Sequence, residues 1–311
     1  MSSISVFIDG GHGTTGLEIA ERLRSRPEIG LIHLDAARRK DLSARREALN
    51  DADIAILCLP DAAAVEAVSL VTNDRTCIID ASTAHRTAPG WTYGFHEIFA
   101  GGKEALRTAK RISNPGCYPT GFLALVKPLL DAGLIQRDWP LTVNAVSGYS
   151  GGGKAMIAEF EEGATDTSWR TYGLDLAHKH VAEMQRHAGL VHSPLFAPSV
   201  ARTYRGMIVD VPLMVSAMQD APSPSAIRAC LEQAFASSLI VRLIAGFDQA
   251  NLTLEHAAGT DRLDLFVFQS ADGGQIRLVA ALDNLGKGAG GACVQALNTV
   301  AGFDETAGLL L

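Results

Sequence analysis

The sequence predicts an α/β protein: a doubly wound parallel-sheet domain first, then an α+β domain. Three observations carry that expectation. Apolar runs of strand length alternate with helical patterns through the first third: ISVFI (4–8), GLIHLDA (30–36), DADIAILCLP (51–60) and TCIIDAS (76–82), with LEIAERLRSR and DAAAVEAV between. Runs without polar alternation belong to strands buried on both faces, and strand–helix alternation builds βαβ units. A Gly-rich turn joins the first run to the first helix. Later strand-like runs cluster together, RGMIVDVPLMV (205–215), RLDLFVFQ (262–269) and QIRLVAAL (275–282), as in an α+β sheet. The 311 residues are enough for two domains, and 47% hydrophobic against 20% charged residues allows each a sizeable core.

Composition narrows the function. Net charge is −7 and no long basic run occurs, which weighs against nucleic acid and anionic membranes as partners. No apolar stretch reaches the roughly 20 residues of a membrane span, and no secretory leader pattern opens the chain. The five cysteines (58, 77, 117, 230, 293) form no CxxC pair. That predicts reduced thiols, no metal centre and a cytoplasmic protein.

The glycines of DGGHGTTG fall as Gly10-x-x-Gly13-x-x-Gly16 between strand and helix, a Rossmann-like dinucleotide turn. One glycine permits the tight turn, one lets backbone approach a diphosphate, and one lets helix and strand pack closely. The helix start at Thr14 and Thr15 offers N–H groups and the positive dipole end to phosphate. Asp35 lies about 20 residues further on, where an acid can bond the ribose 2′-OH of NAD. Arg38, Arg39 and Lys40 follow directly and can instead hold the 2′-phosphate of NADP. The balance favours NADP(H).

SNPGCYPTG (113–121) places Cys117 in an Asn-Pro-Gly turn before a helix. Phe122, Leu125, Val126, Leu129 and Leu130 follow i, i+3, i+4, i+7, i+8, with Gly133 closing the helix; Pro128 inside it should kink it or end it early. A helix N-terminus favours the thiolate, so Cys117 is a candidate nucleophile. Asn114 and the turn's backbone N–H groups are candidate oxyanion donors. The other four cysteines read as core. A thiol beside a nicotinamide needs an acid/base, and AHKHVAEMQRH (177–187) supplies His178, His180 and Glu183. On one helix the two histidines would point to roughly opposite faces, so at most one would line a site. Glu183, three residues past His180, can orient its ring or bind substrate.

These residues resemble the short form of the N-acetyl-gamma-glutamyl-phosphate reductases, within the wider superfamily of aspartate-semialdehyde dehydrogenases. SNPGCYPTG is similar to that family's active-site turn almost letter for letter. IIDASTAHR (78–86), NAVSGYSGGGK (144–154), HKHVAEM (178–184), YRGM (204–207) and NLGKGAGGACVQALN (284–298) resemble its further motifs, in the same order. Val181-Ala182 stands where the family often has Thr-Pro, and His12 where a small residue is more usual.

The resemblance implies a mechanism. Cys117 attacks an acyl phosphate, N-acetylglutamyl 5-phosphate; phosphate leaves; the thioester is reduced by NADPH to the semialdehyde, as one step of arginine biosynthesis. It implies His180 as acid/base with His178 as fallback. Ser147, Ser150 and Lys154 would cradle phosphate, Arg205 would take the substrate carboxylate, and Arg86 either anion. Ser82 and Asn284 would face the cofactor. The expected domains are 1–116 with 286–311 for the dinucleotide, and 117–285 for catalysis and oligomerisation, as a dimer or tetramer. The last helix, 287–302, would return to the first domain, with the cleft between domains and Cys117 at their junction. Two rival functions stay open: a reductase of another acyl phosphate, like the aspartate-semialdehyde enzymes, and a non-catalytic NADP-binding sensor.

Overall fold

A computed structural model describes residues 3–311. In chain order the elements are β1 (Ile4–Asp9), α1 (Thr14–Leu23), β2 (Ile29–Ile32), α2 (Leu42–Asp51), β3 (Ile54–Leu57), α3 (Asp61–Leu70), β4 (Cys77–Asp80), β5 (Thr92–Tyr93), α4 (Gly102–Thr108), β6 (Arg111–Ser113) and α5 (Cys117–Asp131). There follow β7 (Thr142–Gly148), α6 (Gly153–Glu161), β8 (Trp169–Thr171), α7 (His180–Ala188), β9 (Leu195–Ala201), β10 (Met207–Leu213), α8 (Pro224–Phe235), β11 (Val241–Leu243), β12 (Leu263–Gln269), β13 (Ile276–Leu282) and α9 (Gly291–Ala301). Two compact units divide the chain: Met1–Pro115 with Ala289–Leu309, and Gly116–Gly288 with Leu310–Leu311.

The first unit is a parallel sheet in the order β2-β1-β3-β4-β6-β5. Neighbouring residues feed opposite faces. Val6, Ile56 and Ile79 join one buried cluster with Ile19, Leu23, Val294 and Leu297; Phe7, Ala55 and Ile78 join another with Leu49, Ala64 and Ala67. Both faces are covered, which is why the strands read as unbroken apolar runs. α9 closes the first of these faces, packing on α1 and α4.

Three boundaries depart from the sequence reading. The second strand ends at Ile32, because Asp35 Oδ1 accepts the N–H groups of Ala37 (3.0 Å) and Arg38 (2.9 Å) and turns the chain. The last helix is preceded by a π turn at Gly286–Gly290. α5 continues through Pro128 to Asp131 without a break. It is buried along most of its length against β10, β13, α7 and α8, and that packing outweighs one missing hydrogen bond.

The second unit holds a mixed sheet, β11-β12-β13-β10-β7-β9-β8. β10, β13 and β12 form an antiparallel centre, while β7 and β9 pair in parallel. α5 crosses this sheet closely at Gly121, where an added Cβ would lie 2.8 Å from Val209 Cγ2. Gly121→Ala should therefore destabilise the fold by about 1–3 kcal/mol through overpacking. Adding Val209→Ala should return part of the lost denaturation midpoint.

Candidate active site

The first group of expected site residues lies at the C-terminal edge of the parallel sheet. Gly10 has φ +83°, and a Cβ there would meet Cys58 O at 2.2 Å. A Cβ on Gly16 would lie 2.6 Å from Gly10 O, so the turn closes only with glycine at both positions. Gly13 caps α1 in extended conformation without a side chain, which leaves the N–H groups of Thr14, Thr15 and Gly16 for a ligand. Below the turn, buried Asp9 accepts Arg45 Nη2 at 2.9 Å and Nε at 3.1 Å, anchoring the end of β1. Arg38 pairs with exposed Glu47 at 3.2 Å; exposed Arg39 has no side-chain partner among the described residues. Asp35 holds its own turn. A cradle that any Cβ would fill, followed by two exposed guanidinium groups, fits a dinucleotide carrying a 2′-phosphate.

Other expected site residues of this unit have partners within it. Asn114 Nδ2 donates to Ala289 O at 3.1 Å, with Pro115 O at 3.5 Å. Both carbonyls belong to its own unit. Arg86 donates to Asn114 O (3.0 Å) and Ala81 O (3.1 Å), tying the chain after β4 to the chain after β6. The Ser82 hydroxyl donates to Asp80 Oδ2 at 2.7 Å.

In the second unit, Cys117 is the first residue of α5, with extended Gly116 (φ −72°, ψ 151°) as the N-cap. The Gly116 N–H donates to Glu183 Oε1 at 2.8 Å, and Glu183 is 1% exposed. Glu183 therefore holds the cysteine turn through Oε1. Gly288 lies directly against the cysteine, where an added Cβ would fall 2.9 Å from Cys117 Cβ.

The expectation that His178 and His180 face apart fails, because α7 begins only at His180. His178 precedes the helix and its Nδ1 accepts the His180 N–H at 3.1 Å. The two rings meet at 4.7 Å between centroids, and both approach the ring of Tyr118, at 6.2 and 5.8 Å. A backbone N–H can only donate, so the His178 proton in the neutral ring sits on Nε2. Burial, then the charge of Lys179, holds the His178 pKa below its ordinary value. Tyr118 and Tyr172 were not foreseen: Tyr172 donates to Tyr118 Oη at 3.0 Å, and Tyr118 to Ser199 O at 3.1 Å. Burial raises both phenols, Tyr172 to about 12. The signal was the tyrosine directly after the cysteine.

A third group forms around Asn284. Its Nδ2 donates to Ser150 Oγ at 2.8 Å and its Oδ1 accepts the Gly206 N–H at 3.0 Å. Asn284 thus joins the Ser147–Gly151 turn to the segment after Arg205. Ser147 donates to Gly148 O at 2.9 Å. Arg205 Nη1 lies 3.5 Å from buried Asp283 Oδ2. Lys154 is exposed, with no ion-pair partner among the described residues.

Burial pushes the thiols outside the turn upward, Cys58 to about 12 and Cys77 to about 11, with Cys293 and Cys230 also raised. Limited alkylation at neutral pH, mapped by mass spectrometry, should label Cys117 first. The His178 shift also has a sign in stability. The fold favours the neutral ring, so its contribution is present above 6.5 and is lost as pH falls through the depressed folded value. His178→Phe should flatten the fall in melting temperature between about pH 7 and about pH 5.

Family models match in both halves: "Semialdehyde dehydrogenase, NAD binding domain" over residues 5–108 and "Semialdehyde dehydrogenase, dimerisation domain" over residues 117–284. The chain is 49% identical over 305 residues to the N-acetyl-gamma-glutamyl-phosphate reductases of Brucella ovis and Brucella melitensis, covering 96% of this chain and 98% of each relative. Among solved structures, aspartate semialdehyde dehydrogenase II of Vibrio cholerae, complexed with ASA, superposes with a TM-score of 0.72 at 18% identity, over 97% of this chain and 99% of that one. The Candida albicans enzyme with NADP gives a TM-score of 0.67 at 12% identity, covering 96% and 99%. Those two likenesses establish the fold. No helix among the described residues is long and apolar enough to cross a membrane. The chain belongs to the N-acetyl-gamma-glutamyl-phosphate reductase family, on the semialdehyde dehydrogenase fold.

Proposed function

We propose that this protein reduces N-acetyl-gamma-glutamyl phosphate to N-acetylglutamate 5-semialdehyde and phosphate, as an NADPH-dependent cytoplasmic enzyme of arginine biosynthesis. The observation that carries the reading is the position of Cys117: first residue of α5, its turn held by buried Glu183, beside Tyr118 and its two histidines.

Cys117 Sγ attacks the acyl carbon, and the C–O bond to phosphate breaks. The helix dipole and uncapped N–H groups at the start of α5 favour both the thiolate and the oxyanion of the tetrahedral intermediate. His180 takes the thiol proton on attack and returns a proton to sulfur when the hemithioacetal on Cys117 collapses to aldehyde. His178, neutral with its proton on Nε2, is a hydrogen-bond donor and the fallback acid/base. Ser147, Ser150 and Lys154 bind the phosphate through hydroxyls and a point charge. Arg205 takes the substrate carboxylate.

NADPH supplies the hydride that reduces the thioester. Its diphosphate fits the turn of Gly10, Gly13 and Gly16 at Thr14 and Thr15, and its 2′-phosphate fits Arg38 and Arg39. We assign residues 1–116 with 286–311 to dinucleotide binding and 117–285 to catalysis and self-association, in a homodimer or homotetramer.

The reverse reaction tests this without the labile acyl phosphate. Purified protein with NADP, phosphate and N-acetylglutamate 5-semialdehyde should show phosphate-dependent reduction at the nicotinamide absorbance band. Cys117→Ala should abolish it, and His180→Asn should lower kcat by about 10²–10⁴-fold. Turnover of aspartate semialdehyde alone would keep the chemistry and overturn the substrate.

A further inference from the structure

At the same edge of the parallel sheet, the cofactor reading leaves one side-chain cluster without a task. Asp80, the last residue of β4, is fully buried. Its Oδ1 accepts the Ser82 N–H at 2.9 Å. Its Oδ2 accepts the Ser82 hydroxyl at 2.7 Å and lies 2.6 Å from His85 Nδ1. A carboxylate accepts, so His85 Nδ1 carries the proton of the neutral ring and Nε2 is left as an acceptor. The imidazole lies flat on Trp91, with centroids 4.0 Å apart and planes at 15°. Asp80 thus fixes the rotation of the ring and Trp91 fixes its plane. The side chain keeps 12% exposure, and Nε2 makes no hydrogen bond among the described residues.

Topology says which part of a dinucleotide this nitrogen meets. The sheet order is β2-β1-β3-β4-β6-β5. The glycine turn follows β1, and Arg38 and Arg39 follow β2. A dinucleotide with its diphosphate on α1 and its 2′-phosphate at those arginines extends its other half away from β2, over β3 and β4. His85 lies five residues beyond β4.

We infer that His85, fixed by Asp80 and Trp91, is a positioning residue for the nicotinamide half of the cofactor, with Nε2 accepting a hydrogen bond from the ring carboxamide. The inference rests on the NADP reading of the preceding subsection. That bond sets the rotation of the nicotinamide and so which face it presents.

The test is the affinity of the whole protein for two ligands, read by isothermal titration: NADPH, and adenosine 2′,5′-bisphosphate, which lacks the nicotinamide half. His85→Phe keeps a ring on Trp91 and removes both nitrogens. It should weaken NADPH by about threefold to tenfold, the worth of one hydrogen bond, and leave the bisphosphate unchanged. His85→Gln, with a polar end at the place of Nε2, should recover part of the loss and serves alone if the Phe variant does not fold. Unchanged NADPH affinity, or an equal loss for both ligands, overturns the inference. Wild-type protein that binds neither ligand overturns the cofactor reading and this inference with it.

Discussion

One backbone amide fixes the turn at the start of α5. Gly116 must be extended to deliver Cys117 as the first helical residue, and its N–H is buried there. An unpaired N–H there would cost about 1–3 kcal/mol. Glu183, from the first turn of α7, accepts it. His180 opens the same helix, so α7 supplies the turn's support and the proposed acid/base together. Gly288, in the π turn before α9, completes the arrangement by carrying no Cβ where it meets the cysteine.

The thiols outside this turn are shut off by their surroundings. The other four are raised by burial, which keeps them protonated and inert at neutral pH. The two histidines sit differently. His178 is half-buried just before the helix, with its proton on Nε2 and its pKa held down chiefly by desolvation, and His180 is buried at the helix start with Glu183 three residues on. Polar side chains elsewhere are tied down in service of shape: Asn284 spans Ser150 and Gly206, Arg86 spans two strand exits, and Asn114 reaches Ala289. Such bridging keeps glycine-rich turns fixed without bulk.

Much of this was legible in the sequence. The buried parallel strands showed as unbroken apolar runs, and the cysteine turn and glycine turn showed through residue types that few other structures require. Side-chain partners were not legible. Glu183 and Gly116 are 67 positions apart, so no local pattern could pair them. Asn114, Arg86 and Asn284 meet carbonyls and turns that packing brings to them, and no local pattern foretells those partners. The histidine pair was misread because the helix was started too early; its first residue is His180 itself. Pro128 misled in the opposite direction, since burial of α5 outweighed a local preference to stop.

The central claim is that Cys117 carries the acyl group. The most direct measurement is the intact mass of the protein mixed with N-acetyl-gamma-glutamyl phosphate in the absence of NADPH, quenched in acid. The account predicts one added N-acetylglutamyl group per chain, mapped to the peptide containing Cys117, absent in Cys117→Ser or labile to hydroxylamine only in the wild type. An unmodified chain under conditions where the same preparation turns over with NADPH, or an adduct on another residue, would contradict it.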